Sequence, residues 1–256
     1  MKTVAIIQAR MTSTRLPGKI MAEVTGYPLI YHVVNRAQQA ETLDLVAIAT
    51  SNGQADDVVA QFCLEVNISC FRGSEDDVLD RYYQAARYFE ADTVVRLTAD
   101  CPLLDPEVID RVVQKFKSGQ FDYVSNTLEC TYPDGLDTEV FRHNVLKQAW
   151  GEARLKSERE HVTSYIYNHP EKFHLGQVKY TEDLSALRWT VDEPQDLEFV
   201  RLVYQHLGES SFGMAEVLNL LQTQPNLRGI NAGVKRNEGY QKSLRQDSLI
   251  EKSEAK

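Results

Sequence analysis

Cysteine, positive charge and long apolar runs are all scarce in this 256-residue chain. The four cysteines are Cys63, Cys70, Cys101 and Cys130. No two form a Cys-x-x-Cys pair and none has a histidine partner at zinc-finger spacing. They read as reduced thiols, three of them expected inside helices or strands. No apolar run approaches the roughly 20 residues that span a bilayer. The N-terminus enters an apolar strand with no signal-peptide pattern, so a cytoplasmic location is expected. Acidic residues outnumber basic ones by 37 to 28, for a formal net charge of -9. That balance argues against a nucleic-acid partner but not against a small phosphorylated ligand held by a local cationic cluster. Both G-x-x-x-x-G-K-[ST] and G-x-G-x-x-G are missing, so neither a Walker loop nor a dinucleotide fingerprint carries the function.

What is present is an alternation of short apolar runs with amphipathic stretches. Strands are expected at residues 4–8, 45–49, 69–71 and 93–97, and helices at 28–39, 56–66, 76–89 and 106–116. Val58, Val59, Phe62 and Val66 are expected on one face of the second helix. The alternation predicts an α/β fold: a mostly parallel, Rossmann-like sheet with helices on both faces. From about 121 to 187 the pattern changes to a small β-rich excursion. Strands are expected at 121–124, 137–141, 175–180 and 187–191, with helices at 143–153 and 158–167. Two helices follow, at 196–207 and 215–222. Residues 1–225 read as one domain. Residues 226–256 are polar and charged, like an extended arm or a frayed tail.

The chemistry gathers at a few places. After the first strand, Gln8 leads into a loop with Arg10, Thr12, Ser13, Thr14, Arg15, Pro17, Gly18 and Lys19. Cations, hydroxyls and a Pro-Gly turn at the carboxyl edge of a sheet suit the binding of a nucleoside triphosphate. A solvated basic loop is the alternative. Asp100 and Asp192 each stand just beyond an apolar strand-like run. Together they suit Mg²⁺ beside a triphosphate, although each alone could be a turn or cap residue. Asp137 and Glu139 are two apart on an expected strand, so they share a face and could orient or deprotonate a sugar hydroxyl. Arg159 and His161 are candidates for the acceptor, Arg159 by a bidentate grip on a carboxylate. Arg72, Gly73 and Ser74 could read a base.

The run from Gln8 to Lys19 resembles the P-A-R-x-x-S-x-R-[LI]-x-x-K loop of the CMP-sugar synthetases. The similarity is strongest to their SpsF-like branch, the spore coat polysaccharide cytidylyltransferases. Arg72-Gly73-Ser74-Glu75-Asp76-Asp77-Val78-Leu79, Thr98-Ala99-Asp100-Cys101-Pro102, Asp134-Gly135-Leu136-Asp137, Arg159-Glu160-His161-Val162-Thr163 and Asp192-Glu193-Pro194 continue it in order, over about residues 1–207. One departure is Met11-Thr12, where the sialic-acid enzymes carry two glycines. The resemblance implies a glycosyltransferase-A type nucleotidyltransferase fold, CTP as donor, a sugar acid or related sugar acceptor, Mg²⁺ as cofactor and often a homodimer. It implies that Arg10, Arg15 and Lys19 hold the triphosphate, with Lys19, Arg15 and Asp100 catalytic, and that Asp100 and Asp192 hold the metal. Two rivals are a sugar-1-phosphate nucleotidylyltransferase using another triphosphate and a non-catalytic nucleotide-sugar-binding homologue. The first lacks its usual Gly-rich loop here, and the second sits poorly with so many retained charged residues.

Overall fold

The computed structural model describes residues 1–208, 212–234, 236 and 238–250. In chain order the strands and helices are β1 (Thr3–Gln8), β2 (Glu23–Val24), β3 (Tyr27–Pro28), α1 (Leu29–Ala37), β4 (Leu45–Ser51), α2 (Asp57–Glu65), β5 (Ser69–Gly73), α3 (Val78–Tyr88), β6 (Thr93–Thr98), α4 (Pro106–Lys117) and β7 (Tyr123–Ser125). They continue with β8 (Glu139–Arg142), α5 (His143–Glu152), α6 (Lys156–Glu160), α7 (Ser164–Tyr167), β9 (Leu175–Gln177), α8 (Pro194–Leu207), α9 (Met214–Thr223) and α10 (Glu238–Arg245).

Seven strands form one sheet in the order β5-β4-β1-β6-β8-β7-β9. The β5-β4-β1-β6 half is parallel, β8 runs antiparallel to both neighbours, and β7 and β9 are parallel to each other. Strands covered on both faces read as continuous apolar runs because alternate residues enter different cores. Ala5 and Ile7 of β1 enter one core with α1, α4 and α8, whereas Val4 and Ile6 enter the other with α3 and α5. The helices therefore lie on both faces, as the alternation predicts.

Several expectations change. The excursion is not an appendage: β7, β8 and β9 complete the same sheet. Residues 187–191 form no strand; only an isolated bridge joins Arg188 to Asp134. The expected helix at 158–167 breaks into α6 and α7 around Val162, whose φ of 58° lies outside the helical region. On α2 the buried face is Val59, Phe62 and Cys63, while Val58 and Val66 are exposed. The 3- and 4-residue steps from Val59 decide that face. Only two cysteines, Cys63 and Cys101, are fully buried. The described part of the C-terminal segment is docked: Ser157 N donates to Asp247, Lys156 N to the Ser248 carbonyl and Ile250 N to the Arg154 carbonyl.

Candidate functional site

The loop after β1 folds back on itself. Gly18 adopts φ 72° and its N–H donates to the Met11 carbonyl at 3.0 Å, starting a 3-10 turn over Lys19–Met21. Glycine accepts that left-handed backbone without a Cβ penalty. The turn sends Lys19 inward across the end of β6. Its ammonium donates to Asp100 Oδ2 at 2.7 Å, to the Val191 carbonyl at 2.7 Å and to Asp192 Oδ1 at 2.8 Å. Three N–H groups meet three acceptors, so Lys19 is saturated. In this arrangement Lys19 clamps the Asp100 and Asp192 carboxylates together. Burial alone would discharge Lys19, but the Asp100 and Asp192 charges outweigh that and raise its pKa. Burial pushes the Asp100 carboxyl up, yet Lys19 overrides it and holds the group at about 2. Arg15 joins the cluster, 2.8 Å from Asp192 Oδ1.

Asp192 is positioned by a buried network of side chains that have no expected role in the chemistry. Arg188 donates to Asp192 Oδ2 at 2.8 Å, to Asp134 Oδ2 at 3.0 Å and to Asp196 Oδ1 at 2.9 Å. Asp196 in turn accepts the Asp192 and Glu193 backbone N–H groups at 2.9 Å, which fixes the start of α8. Asn231 Nδ2 completes the network at Asp196 Oδ1, 2.9 Å away. Asp134 stands in a motif that was legible and Arg188 in an expected strand, whereas nothing in the local pattern marked Asn231.

These groups border a cleft of about 450 Å³ that runs from Arg15, Asp100 and Asp192 to Glu139, His161, Thr163 and Tyr167. The sheet order separates two sides. Arg72 and Gly73 belong to β5 at one edge of the sheet, whereas the cleft lies over β6, β8 and β7 with Arg15 of the loop on its border. Arg72 and Gly73 are the last residues of β5 rather than a turn beyond it. Arg72 donates to the Ser51 and Gly53 carbonyls at 2.9 and 3.0 Å and pairs with Asp57. Ser74 Oγ accepts the Asp77 N–H at the start of α3, and Thr12 Oγ1 donates to Glu75 at 3.3 Å. Arg10, at the protein surface, is 4.0 Å from Glu160. Ser13 is half-buried in the loop, and Gln8 Oε1 accepts from Arg96 at 3.4 Å.

The acceptor candidates separate. Strand β8 begins only at Glu139, so Asp137 precedes it and the two do not form one strand face. Glu139 is consumed by Arg96, by the Tyr123 hydroxyl at 2.5 Å and by Thr163 Oγ1 at 2.7 Å. Asp137 also lines the cleft, where Arg236 Nη2 donates to it at 2.6 Å. Arg159 does not line the cleft: its Nε donates to both Asp77 oxygens at 3.0 Å, and Nη1 to the Trp150 carbonyl at 2.7 Å. His161 lines the cleft but is tied to the C-terminal segment, with Nε2 3.0 Å from Ser243 Oγ and its ring edge-on to Tyr240.

The carboxylates present fit a hard cation. One oxygen each from Asp100 and Asp192 already converges within 2.8 Å of a single positive centre, the Lys19 ammonium, and Asp100 Oδ1 is contacted by the Cys101 thiol at 3.6 Å. Mg²⁺ is commonly held by one or two carboxylates completed by substrate phosphates. Among the described residues no group of three or more metal-ligating side chains forms a full protein cage.

A cytidylyltransferase family model matches residues 4–221. The spore coat polysaccharide biosynthesis protein SpsF of Bacillus subtilis is 34% identical over 231 residues, covering 86% of this chain and 94% of its own. The 3-deoxy-manno-octulosonate cytidylyltransferase of Chlamydia trachomatis serovar A is 27% identical over 228 residues, covering 83% and 88%. A cytidylyltransferase structure from Leptospira borgpetersenii superimposes with a TM-score of 0.86 at 30% identity, covering 92% of this chain and all of that one.

Proposed function

The chain belongs to the cytidylyltransferase family, and on that premise we propose that it transfers CMP from CTP to a hydroxyl of a sugar acid, releasing pyrophosphate, for the synthesis of a surface polysaccharide. The observation that carries this reading is the Lys19 bridge between Asp100 and Asp192, set at the sheet edge between the cationic loop and a sugar-sized cleft. The relatives named for spore coat polysaccharide and for 3-deoxy-manno-octulosonate support the acceptor class. A reaction that draws on CTP fits a cytoplasmic location.

In this reading the triphosphate lies along the loop, where Arg10 and Arg15 neutralise it and the Arg72 region faces the base. Asp100 and Asp192 would hold Mg²⁺, which when bound neutralises phosphate oxygens and draws charge from the α-phosphorus. Asp137 sits in the cleft with its carboxyl pushed up by burial against the pull of Arg236, which suits it to accept a proton. The acceptor hydroxyl loses its proton to Asp137 as its oxygen bonds to the α-phosphorus. The bond from that phosphorus to the bridging oxygen breaks, and pyrophosphate leaves. Positioning and charge neutralisation supply most of the acceleration.

Thermal-shift titration with the four nucleoside triphosphates and Mg²⁺ tests the donor. CTP at 100 times its Kd should add about 2.7 kcal/mol of apparent stability. Equal shifts from UTP or GTP would overturn the cytidine assignment. Pyrophosphate release over a panel of sugar acids then tests the acceptor.

A further inference from the structure

The family model ends at residue 221, yet a wall of the cleft comes from beyond it: Arg236, Glu238, Gly239 and Tyr240. These residues of the C-terminal arm line the cleft, and α10 docks on α6. Ser243 Oγ donates to Glu160 at 2.8 Å, and Asp247 accepts the Ser157 hydroxyl at 2.6 Å. Apart from the Tyr240 ring, which meets His161 and Tyr167, its docking is polar. From Glu238 to Ile250 no residue with a described side chain is fully buried, and Leu244 and Leu249 are 41% and 74% exposed. An element held by exposed hydrogen bonds and few apolar contacts opens at small free-energy cost.

Arg236 is the charge that this arm delivers. Nη2 donates to Asp137 at 2.6 Å and Nη1 to the Tyr132 carbonyl at 3.3 Å. Among the described residues Nε finds no hydrogen-bond partner and stands 3.6 Å from Asp134 Oδ1, although it is buried. A buried N–H without a partner is costly, so this donor set is incomplete as it stands. Of the other cleft arginines on this side, Arg188 is committed to Asp134, Asp192 and Asp196, and Arg96, whose Nε is also unpaired among the described residues, is held against Glu139 from within strand β6. An anionic acceptor entering beside Asp134, Asp137 and Glu139 would meet repulsion unless a cation received it. Arg236 has the planar fork for a carboxylate, an unmade bond, and a mount that can move.

We propose that the C-terminal arm recognises the acceptor and that Arg236 takes the acceptor's carboxylate. The proposal rests on the cytidylyl-transfer reading above. The incoming carboxylate replaces Asp137 on the guanidinium, which leaves Asp137 free for the acceptor hydroxyl. Tyr240, edge-on to His161, then covers the sugar.

The test is calorimetric titration of the full-length protein saturated with a CTP analogue carrying a methylene bridge between the α and β phosphorus atoms. The probes are 3-deoxy-manno-octulosonate, sialic acid and their methyl esters. We expect at least one acid to bind, with its ester at least tenfold weaker. Arg236→Gln should bind the acid at least tenfold more weakly and lose the acid-over-ester preference. Arg236→Lys should recover part of it. Analogue affinity should stay within twofold in all three proteins, which also shows that they fold. If Arg236→Gln keeps the ester discrimination, or the acid affinity is unchanged, the proposal is wrong. If the analogue binds and neither acid does, the role of Arg236 fails while the nucleotide reading stands. If the analogue does not bind, both fail.

Discussion

Lys19 Nζ lies 2.7 Å from Asp100 Oδ2, although 81 residues separate the two in sequence. The contact ties the loop after β1 to the end of β6 and makes one unit of two motifs. Lys19→Met keeps the aliphatic stem and removes the charge, leaving Asp100 and Asp192 to face each other without their shared cation. Breaking a buried pair in this way costs about 3 kcal/mol. Loss of a preorganised charge in the site should lower turnover by about two to three orders of magnitude. Urea unfolding and CTP-dependent pyrophosphate release check both; full activity in the variant would sink the assignment.

Metal removal separates the roles of the two carboxylates. A chelator should abolish pyrophosphate release and Mg²⁺ should restore it. Asp100→Asn should retain the wild-type fold but need at least tenfold more Mg²⁺ for half-maximal rate, because a neutral amide is a poorer ligand for a hard cation. An Asp100→Asn enzyme with a normal Mg²⁺ requirement would show that the metal is held elsewhere.

The parallel half of the sheet was legible because each strand is a short apolar run and each helix has a 3.6-residue stripe. Asp100 was legible for the same reason, since it closes the apolar run of β6; Asp192 also ends an apolar run, but that run forms no strand, and Lys19 is what ties it to Asp100. What could not be read was pairing. Arg159 carries the same chemistry as Arg236, and only tertiary structure turns one towards Asp77 and the other into the cleft. Arg236 sits in a polar segment without periodicity, so nothing local distinguished a docked arm from a frayed end. The span 187–191 has the composition of a strand, but only one bridge forms there, and the Trp189, Thr190 and Val191 N–H groups are met by the Asp134 and Asp100 carbonyls instead.

Asp134 predicts a pH dependence of stability. Burial, then the neighbouring Asp137 charge, push its carboxyl up to about 6, against the pull of Arg236 and Arg188. An unfolded aspartate titrates near 3.9. The folded chain therefore binds this proton more tightly, so the contribution to stability is complete below pH about 4 and is lost as pH rises through about 6. Asp134→Asn should lack that loss. Its unfolding free energy relative to wild type should rise by about 2 kcal/mol between pH 4 and pH 7. A difference that is flat with pH would refute the shift.

Arg159 separates a structural role from a binding one. Its guanidinium is engaged by Asp77 and by the Trp150 carbonyl, joining α6 to the start of α3 and the end of α5. Arg159→Leu should lower stability by about 2–3 kcal/mol, as expected for a hydrogen-bonded charge pair with limited exposure. The KM for the sugar acid should stay within twofold, measured at a temperature where the variant is folded. A tenfold rise in that KM would return Arg159 to the acceptor site.

The approach of residues 134–135 to residues 188–190 carries the last prediction. Gly135 has φ 116°, and a Cβ there would stand 2.6 Å from Thr190 N and 2.7 Å from the Trp189 carbonyl carbon. Both are backbone atoms, so no side-chain rotation relieves the clash. The Asp134 carbonyl beside it accepts the Trp189 and Thr190 N–H groups at 2.6 and 3.0 Å, contacts that set where Arg188 and Asp192 stand. Gly135→Ala should therefore cost about 3 kcal/mol or more, since it adds steric conflict to backbone strain. Gly119 is the control: φ is 84° there too, but a Cβ meets nothing within 4 Å. Gly119→Ala should cost only the left-handed backbone term of about 1–2 kcal/mol. Activity at a temperature where both variants are folded should fall for Gly135→Ala alone, because only that substitution moves Asp192 relative to Lys19. Equal destabilisation by the two substitutions would mean that the close approach does not constrain the site.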